Sequence, residues 1–251
     1  SKIFGKKYGV MVNSGSSANL LAVEIINLPE GSEVITPVLT FATTVTPLLQ
    51  KRLIPVFVDV EPSTYQIDIN QIEAALSDRT RALFIPSLLG NVPNLEILAK
   101  LAAKHNLIFV EDSCDTLGAT FRGMPTGCFS DISTTSFYGS HIISAGGGGG
   151  MICVNNPNWD SRLRVLRGWG RTSSLFGDSE DLEKRFSFKI EDFVYDAKFI
   201  FDEVGYNFLP LEISAAFGLE QLKKLLAFTV IRSRNFNCLY RFFRRYEQWF
   251  E

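Results

Sequence analysis

Apolar runs rich in Val, Ile and Phe alternate along this chain with stretches whose apolar residues recur every third or fourth position. The runs predict six strands: Glu33 to Thr36, Pro55 to Val60, Ala82 to Pro86, Leu107 to Glu111, Ile132 to Phe137 and Met151 to Val154. Helical periodicity fills the gaps over Ser17 to Asn27, Ala42 to Gln50, Ile69 to Leu76 and Leu95 to Lys104. Strands alternating with helices predict an α/β fold, a mainly parallel sheet flanked by helices on both faces. In such sheets ligands bind beyond the carboxyl ends of the strands, so the residues that follow each strand are the ones to inspect.

With 251 residues, 46% of them hydrophobic, the chain can bury the core of one large domain, with or without an appendage. A net charge of −2 gives no electrostatic reason to expect nucleic acid as a partner. No apolar stretch approaches the ~20 residues that span a bilayer, so no membrane partner is expected. Ser1 to Tyr8 lacks an apolar signal core, which makes the cytoplasm the expected location. Cys114, Cys128, Cys153 and Cys238 are scattered without Cys-x-x-Cys spacing and read as small buried hydrophobes.

Three segments after strands carry candidate chemistry. In Val12 to Asn19, small residues and hydroxyls lead into a helix, where free amides form a ready anion site. The same residues also fit a plain serine N-cap. Glu111-Asp112-Ser113 closes the most apolar strand, and a carboxylate there needs a partner to offset desolvation. A pyridinium nitrogen would serve; an aspartate capping the turn from Cys114 to Leu117 accounts for Asp112 equally well. The third segment, Ser136-Phe137-Tyr138-Gly139-Ser140-His141, precedes the glycine run Gly146 to Gly150. A phosphate-binding Walker loop needs Gly-Lys-Ser/Thr opening a helix, whereas these glycines lead into a strand and read as a tight turn supporting the loop. Between Lys104 and Lys184 there is no lysine.

Taken in order, these segments, with Pro55 to Val60, Trp169-Gly170-Arg171 and Gly205-Tyr206-Asn207, resemble the DegT/DnrJ/EryC1/StrS family of pyridoxal-phosphate sugar aminotransferases. Within it the chain resembles the 4-keto-6-deoxy-sugar 3-dehydratases, because His141 stands where the family carries its cofactor lysine. An imidazole cannot hold an aldehyde cofactor covalently and is suited instead to moving protons.

The resemblance implies an aspartate-aminotransferase-like large domain (PLP fold type I) over residues 1–226. It further implies a helical tail, 227–251, leading toward a small carboxy-terminal domain that is largely missing. In the tail, Phe236, Leu239, Tyr240, Phe243 and Phe250 are available for an apolar face. The implied cofactor is pyridoxamine 5′-phosphate, or pyridoxal 5′-phosphate, held without a covalent link. Ser16, Ser17 and Ser136 would hold its phosphate, Phe41 would stack on its ring and Asp112 would pair with its nitrogen. Asn207 would reach the phosphate in the neighbouring subunit, which implies a homodimer. The substrate would be a nucleotide-linked 4-keto-6-deoxy sugar, with glutamate as amino donor. His141 would move the protons as C3 loses its hydroxyl, a role typically worth ~10²- to 10⁴-fold in rate, with Asp115 orienting groups near the ring.

Some 3-dehydratases carry an iron-sulfur cluster on cysteines after the Trp-Gly-Arg segment. Arg171-Thr172-Ser173-Ser174-Leu175 has none, so no cluster is expected. The family's Glu-Gly-Gly after the loop stands here only as glycines. Two alternatives remain open: an aminotransferase whose lysine is Lys184, Lys189 or Lys198, and a truncated relative without catalysis.

Overall fold

The computed structural model describes residues 1–176 and 181–249. Its strands are β1 (Tyr8–Val12), β2 (Glu33–Pro37), β3 (Ile54–Val58), β4 (Thr80–Pro86), β5 (Ile108–Asp112), β6 (Thr120–Phe121), β7 (Met124–Pro125), β8 (Ile132–Ser136), β9 (Gly150–Val154), β10 (Phe188–Ile190) and β11 (Phe193–Tyr195). The α-helices are α1 (Gly15–Ile26), α2 (Ala42–Gln50), α3 (Ile69–Ile72), α4 (Leu95–Lys104), α5 (Pro157–Arg167), α6 (Leu182–Arg185), α7 (Glu212–Leu222) and α8 (Leu225–Phe243).

Seven strands form the main sheet in the order β1-β9-β8-β5-β4-β2-β3. The pairs β2·β3, β2·β4, β4·β5 and β5·β8 are parallel; β9 alone runs against its neighbours β8 and β1. The sheet is therefore mainly parallel, as the alternating pattern predicts. Both faces are covered. Phe84 and Val110 pack with Leu21 and Ile25 of α1 and Leu163 and Leu166 of α5, whereas Leu83, Ile85 and Phe109 pack with Leu95 and Leu98 of α4. Neighbours in one strand thus serve opposite layers, which is why β4 is apolar almost throughout.

All six expected strands form, with ends shifted by a residue or two. β1 is not predicted by the pattern, because Gly9 interrupts its short run and its pairing with the reversed β9 is a long-range contact. The helix expected over Ile69 to Leu76 divides into α3 and a 3₁₀ turn, Glu73–Ala75. Of the cysteines only Cys153 is buried; Cys128 and Cys238 are exposed. The tail forms α8 and a 3₁₀ turn, Arg244–Tyr246, and none of their residues is buried. Phe236, Leu239, Tyr240 and Phe243 are exposed, so this chain does not cover the expected apolar face; Phe250 lies outside the described residues.

Candidate active site

At the carboxyl end of the parallel strands lies a cleft of about 510 Å³. The turns after β1, β4, β5 and β8 meet there.

The turn between β1 and α1 supplies Ser14, Gly15 and Ser16. Ser14 caps α1, its hydroxyl accepting the Ser17 backbone N–H at 3.0 Å. Gly15 is required by proximity: a Cβ there would lie 2.6 Å from Cβ of Ser136 and 3.1 Å from Sγ of Cys114. Small residues thus bring the first amides of a 12-residue helix against the Ser136 hydroxyl. Polar groups at a helix start of this kind suit a phosphate.

At the end of β5, Asp112 is buried but lines the cleft. Its Oδ2 accepts Nδ2 of Asn19 at 2.8 Å and the Thr44 hydroxyl at 2.9 Å; Oδ1 accepts the Cys114 backbone N–H at 3.2 Å. Both roles considered for Asp112 are therefore compatible with its position, since it caps the turn and also faces the cleft. Cys114 lines the same wall. Burial first, then the nearby Asp112 charge, pushes its thiol well above the ordinary range and makes it a poor nucleophile.

The preceding residue, Glu111, points to the opposite face of the strand. It is fully buried among the hydroxyls of Ser113, Ser130 and Ser133, and burial pushes its carboxyl up. Lys6 lies nearby, its ammonium donating to the carbonyls of Ser130 and Asp131, and burial pushes it down.

The third wall is the loop of 13 residues between Ser136 and Gly150, which are themselves paired across β8 and β9. Phe137, Ile143 and Ala145 are buried and hold the loop to the body. Gly146, Gly147 and Gly149 close it with φ of 70°, 110° and 135°, angles that side-chain-bearing residues rarely adopt. Gly150 is needed because a Cβ would meet the Ser14 carbonyl at 2.3 Å. On the far side of the loop, Arg232 of α8 donates to the Ile142 carbonyl at 2.8 Å.

His141 stands in this loop, 25% exposed at its side chain, with Nε2 3.7 Å from Oδ1 of Asp115. Two buried polar atoms of cleft-lining residues, Nδ1 of His141 and the Ser87 hydroxyl, have no partner among the described residues. Unpaired buried polar atoms point to a polar ligand that completes them. Phe41, 69% exposed, forms an apolar lip beside Tyr138.

The fold therefore brings Ser16, Phe41, Asp112, Ser136 and His141 to one cleft. Ser17 lies beneath that surface, its hydroxyl accepting from Ser14 at 3.0 Å. Asn207 does not line it; it is exposed and bridged to Gly168. Among the described residues, no lysine lines the cleft. Lys184, Lys189 and Lys198 belong to α6, β10 and the 3₁₀ turn Ala197–Phe199. The groups present, a serine-rich helix start, a carboxylate at the floor and an apolar lip, fit a phosphorylated pyridine.

The sequence profile of the DegT/DnrJ/EryC1/StrS aminotransferase family matches residues 1–250. The chain belongs to this family. Among curated relatives, it is 40% identical over 250 residues to the dTDP-4-dehydro-2,6-dideoxy-D-glucose 3-dehydratase of Saccharopolyspora spinosa, covering 95% of this chain and 54% of that protein. It is 38% identical over 249 residues to the lipopolysaccharide biosynthesis protein RfbH of Salmonella typhimurium, covering 95% of this chain and 57% of the relative. The E. coli GDP-4-keto-6-deoxy-D-mannose-3-dehydratase with bound hydrated PLP superposes with a TM-score of 0.84 at 35% identity, over 97% of this chain and 62% of that one. The chain thus spans a little over half the length of the relatives it matches.

Several site residues of this family member escaped sequence reasoning. Thr44 is an ordinary polar position of a helix, Asn19 ends the serine-rich segment with nothing in the sequence to signal its bond to Asp112, and Ser87 follows a strand without any motif. Only the placement of Ser87 after a predicted strand could have flagged it.

Proposed function

We propose that this chain forms the cofactor-binding part of a 3-dehydratase that deoxygenates C3 of a nucleotide-linked 4-keto-6-deoxy sugar with pyridoxamine or pyridoxal 5′-phosphate. In this reading it serves dideoxysugar and O-antigen biosynthesis as a cytoplasmic homodimer. The observation that carries the reading is which nitrogen base lines the cleft: among the described residues His141 does and no lysine does. An aminotransferase of this family needs an amine where this cleft offers an imidazole, and the three candidate lysines lie elsewhere.

When bound, the cofactor supplies an amine attached to an electron-withdrawing ring. The chain would do the rest. Ser16, Ser17 and Ser136, with the amides of α1, would bind the phosphate, Ser17 through the serine cluster it shares with Ser14. Phe41 would cover one face of the ring and keep water from it. Asp112 would hold the proton on the pyridine nitrogen. His141 would take the proton from the carbon bearing the cofactor amine and deliver one to the departing C3 hydroxyl, a task suited to an imidazole near neutral pH. Asn207, exposed and away from the chain's own cleft, would reach the phosphate bound by the partner subunit. Glutamate would restore the amine.

The test is to load the protein separately with pyridoxamine phosphate and pyridoxal phosphate, dialyse, reduce with borohydride and weigh the intact chain. Retained cofactor without added mass is expected, and His141→Lys should convert pyridoxal phosphate into a covalent adduct. A specific adduct on the unaltered chain would favour an aminotransferase. Retention of neither cofactor would sink the proposal in favour of an inactive relative.

A further inference from the structure

Asn19 lies within α1, 1% exposed, one turn beyond the serines of the helix start. Its carboxamide meets three groups. Nδ2 donates to Oδ2 of Asp112 at 2.8 Å and to the Thr43 carbonyl at 3.2 Å, while Oδ1 accepts the Thr134 hydroxyl at 2.6 Å. This orientation is fixed chemically: the reversed amide would set its oxygen against a carboxylate and a carbonyl, both acceptors only. The same Oδ2 of Asp112 takes the Thr44 hydroxyl, and Thr44 in turn accepts from Thr40 at 2.9 Å. In contrast, Oδ1 of Asp112 receives one backbone N–H among the described residues. Side chains from α1 and α2, with Thr134 of β8 behind Asn19, therefore bind one oxygen of Asp112 and leave the other with spare acceptor capacity beside the cleft.

We propose that Asn19 is a positioning residue: it fixes Asp112 so that the less occupied oxygen faces the cofactor's ring nitrogen, and it thereby governs how firmly that nitrogen keeps its proton. The role rests on the cofactor reading above. A carboxylate stabilises a nearby cation only while it is held at short range and in the right direction. Without the Asn19 amide, Asp112 loses one of the side-chain donors that hold it, keeping the Thr44 hydroxyl and the adjacent Cys114 thiol, and gains freedom to turn. The protonated ring is then favoured less, so its titration moves to lower pH.

The test compares the unaltered protein with Asn19→Ala and with Thr134→Val, a near-isosteric change that removes only the hydroxyl holding the Asn19 oxygen. Each is loaded with pyridoxamine phosphate, and the bound cofactor's absorbance is followed against pH beside the melting temperature of the cofactor-free protein. In Asn19→Ala the midpoint should fall by about one pH unit, a tenfold change in proton affinity. Thr134→Val should move it in the same direction by less. A merely structural Asn19 would lower the melting temperature and leave the midpoint unmoved in both variants, which overturns the role. Should Asn19→Ala not fold, Thr134→Val decides alone. Failure of the unaltered protein to retain pyridoxamine phosphate would overturn the cofactor reading and this role together, whereas retention with an unmoved midpoint removes this role only.

Discussion

Nε2 of His141 lies 3.7 Å from Oδ1 of Asp115, too far for a hydrogen bond and close enough for charge to be felt. The other oxygen of Asp115 accepts the Leu89 backbone N–H at 3.1 Å, so the carboxylate is held in place from the β4 side of the cleft. Because Asp115 faces the imidazole, Asp115→Asn, which keeps the shape and removes the charge, should slow turnover about fivefold and leave cofactor retention unchanged. Steady-state kinetics beside a cofactor assay checks both; unaltered kcat would deny Asp115 this role.

Phe41 separates binding from stability. Because it is 69% exposed, Phe41→Ala should change unfolding free energy by no more than about 0.5 kcal/mol. Losing an aromatic neighbour should weaken cofactor binding by about 0.5–1.5 kcal/mol, roughly two- to twelvefold in Kd. Fluorescence titration and urea unfolding measure the two effects independently.

Gly15→Ala should do both kinds of damage. Its new methyl carbon would lie 2.6 Å from Cβ of Ser136, and relieving that overlap costs about 1–3 kcal/mol. It would also push Ser136 away from the helix start, so phosphate competition for the cofactor site should weaken in parallel. Urea unfolding with a loss below about 0.5 kcal/mol would show that the turn relaxes freely.

The pH dependence of stability should carry the signature of Glu111. Burial raises its folded pKa above the ordinary 4.5. A neutral Glu111 thus contributes stability that is fully present below 4.5 and lost as pH rises through the folded value. In Glu111→Gln that loss is absent, so the variant's stability relative to the unaltered protein should improve as pH rises above 4.5 and then level off. Melting curves at several pH values check the sign. A variant that loses stability relative to the unaltered protein as pH rises would contradict it.

Tyr206→Phe tests how residues 206–208 are fastened to α1. The Tyr206 hydroxyl donates to Oε1 of buried Glu24, whose Oε2 is 2.9 Å from the Lys51 ammonium. Removing a donor to a buried carboxylate should cost about 1.5–3 kcal/mol, read by guanidinium unfolding. Since Asn207 is the next residue, the same variant should also loosen its placement.

Much of this architecture is legible in the sequence because β4 and β5 are buried on both sides and leave no doubt about their character. His141 is legible too, since a histidine in that loop and the missing lysine are both visible as letters. The partners of Asp112 are not. Asn19 lies 93 positions away and Thr44 lies 68 away, and a polar residue within a helix reads as surface until the sheet brings the ends together. Asn207 shows the converse limit: its motif is plain, yet its expected target is on another chain.

The reversal of β9 has a consequence for how this chemistry could change hands. Its two feet, Ser136 and Gly150, are cross-strand partners, so the His141 loop spans a single inter-strand gap of about 5 Å and never has to cross the sheet. A segment tethered like a stirrup keeps its path when one of its letters changes. Exchanging an imidazole for an amine at position 141 asks nothing of the topology, so under the proposed function the difference between moving protons and moving amino groups would be a local substitution rather than a rebuilding of the protein.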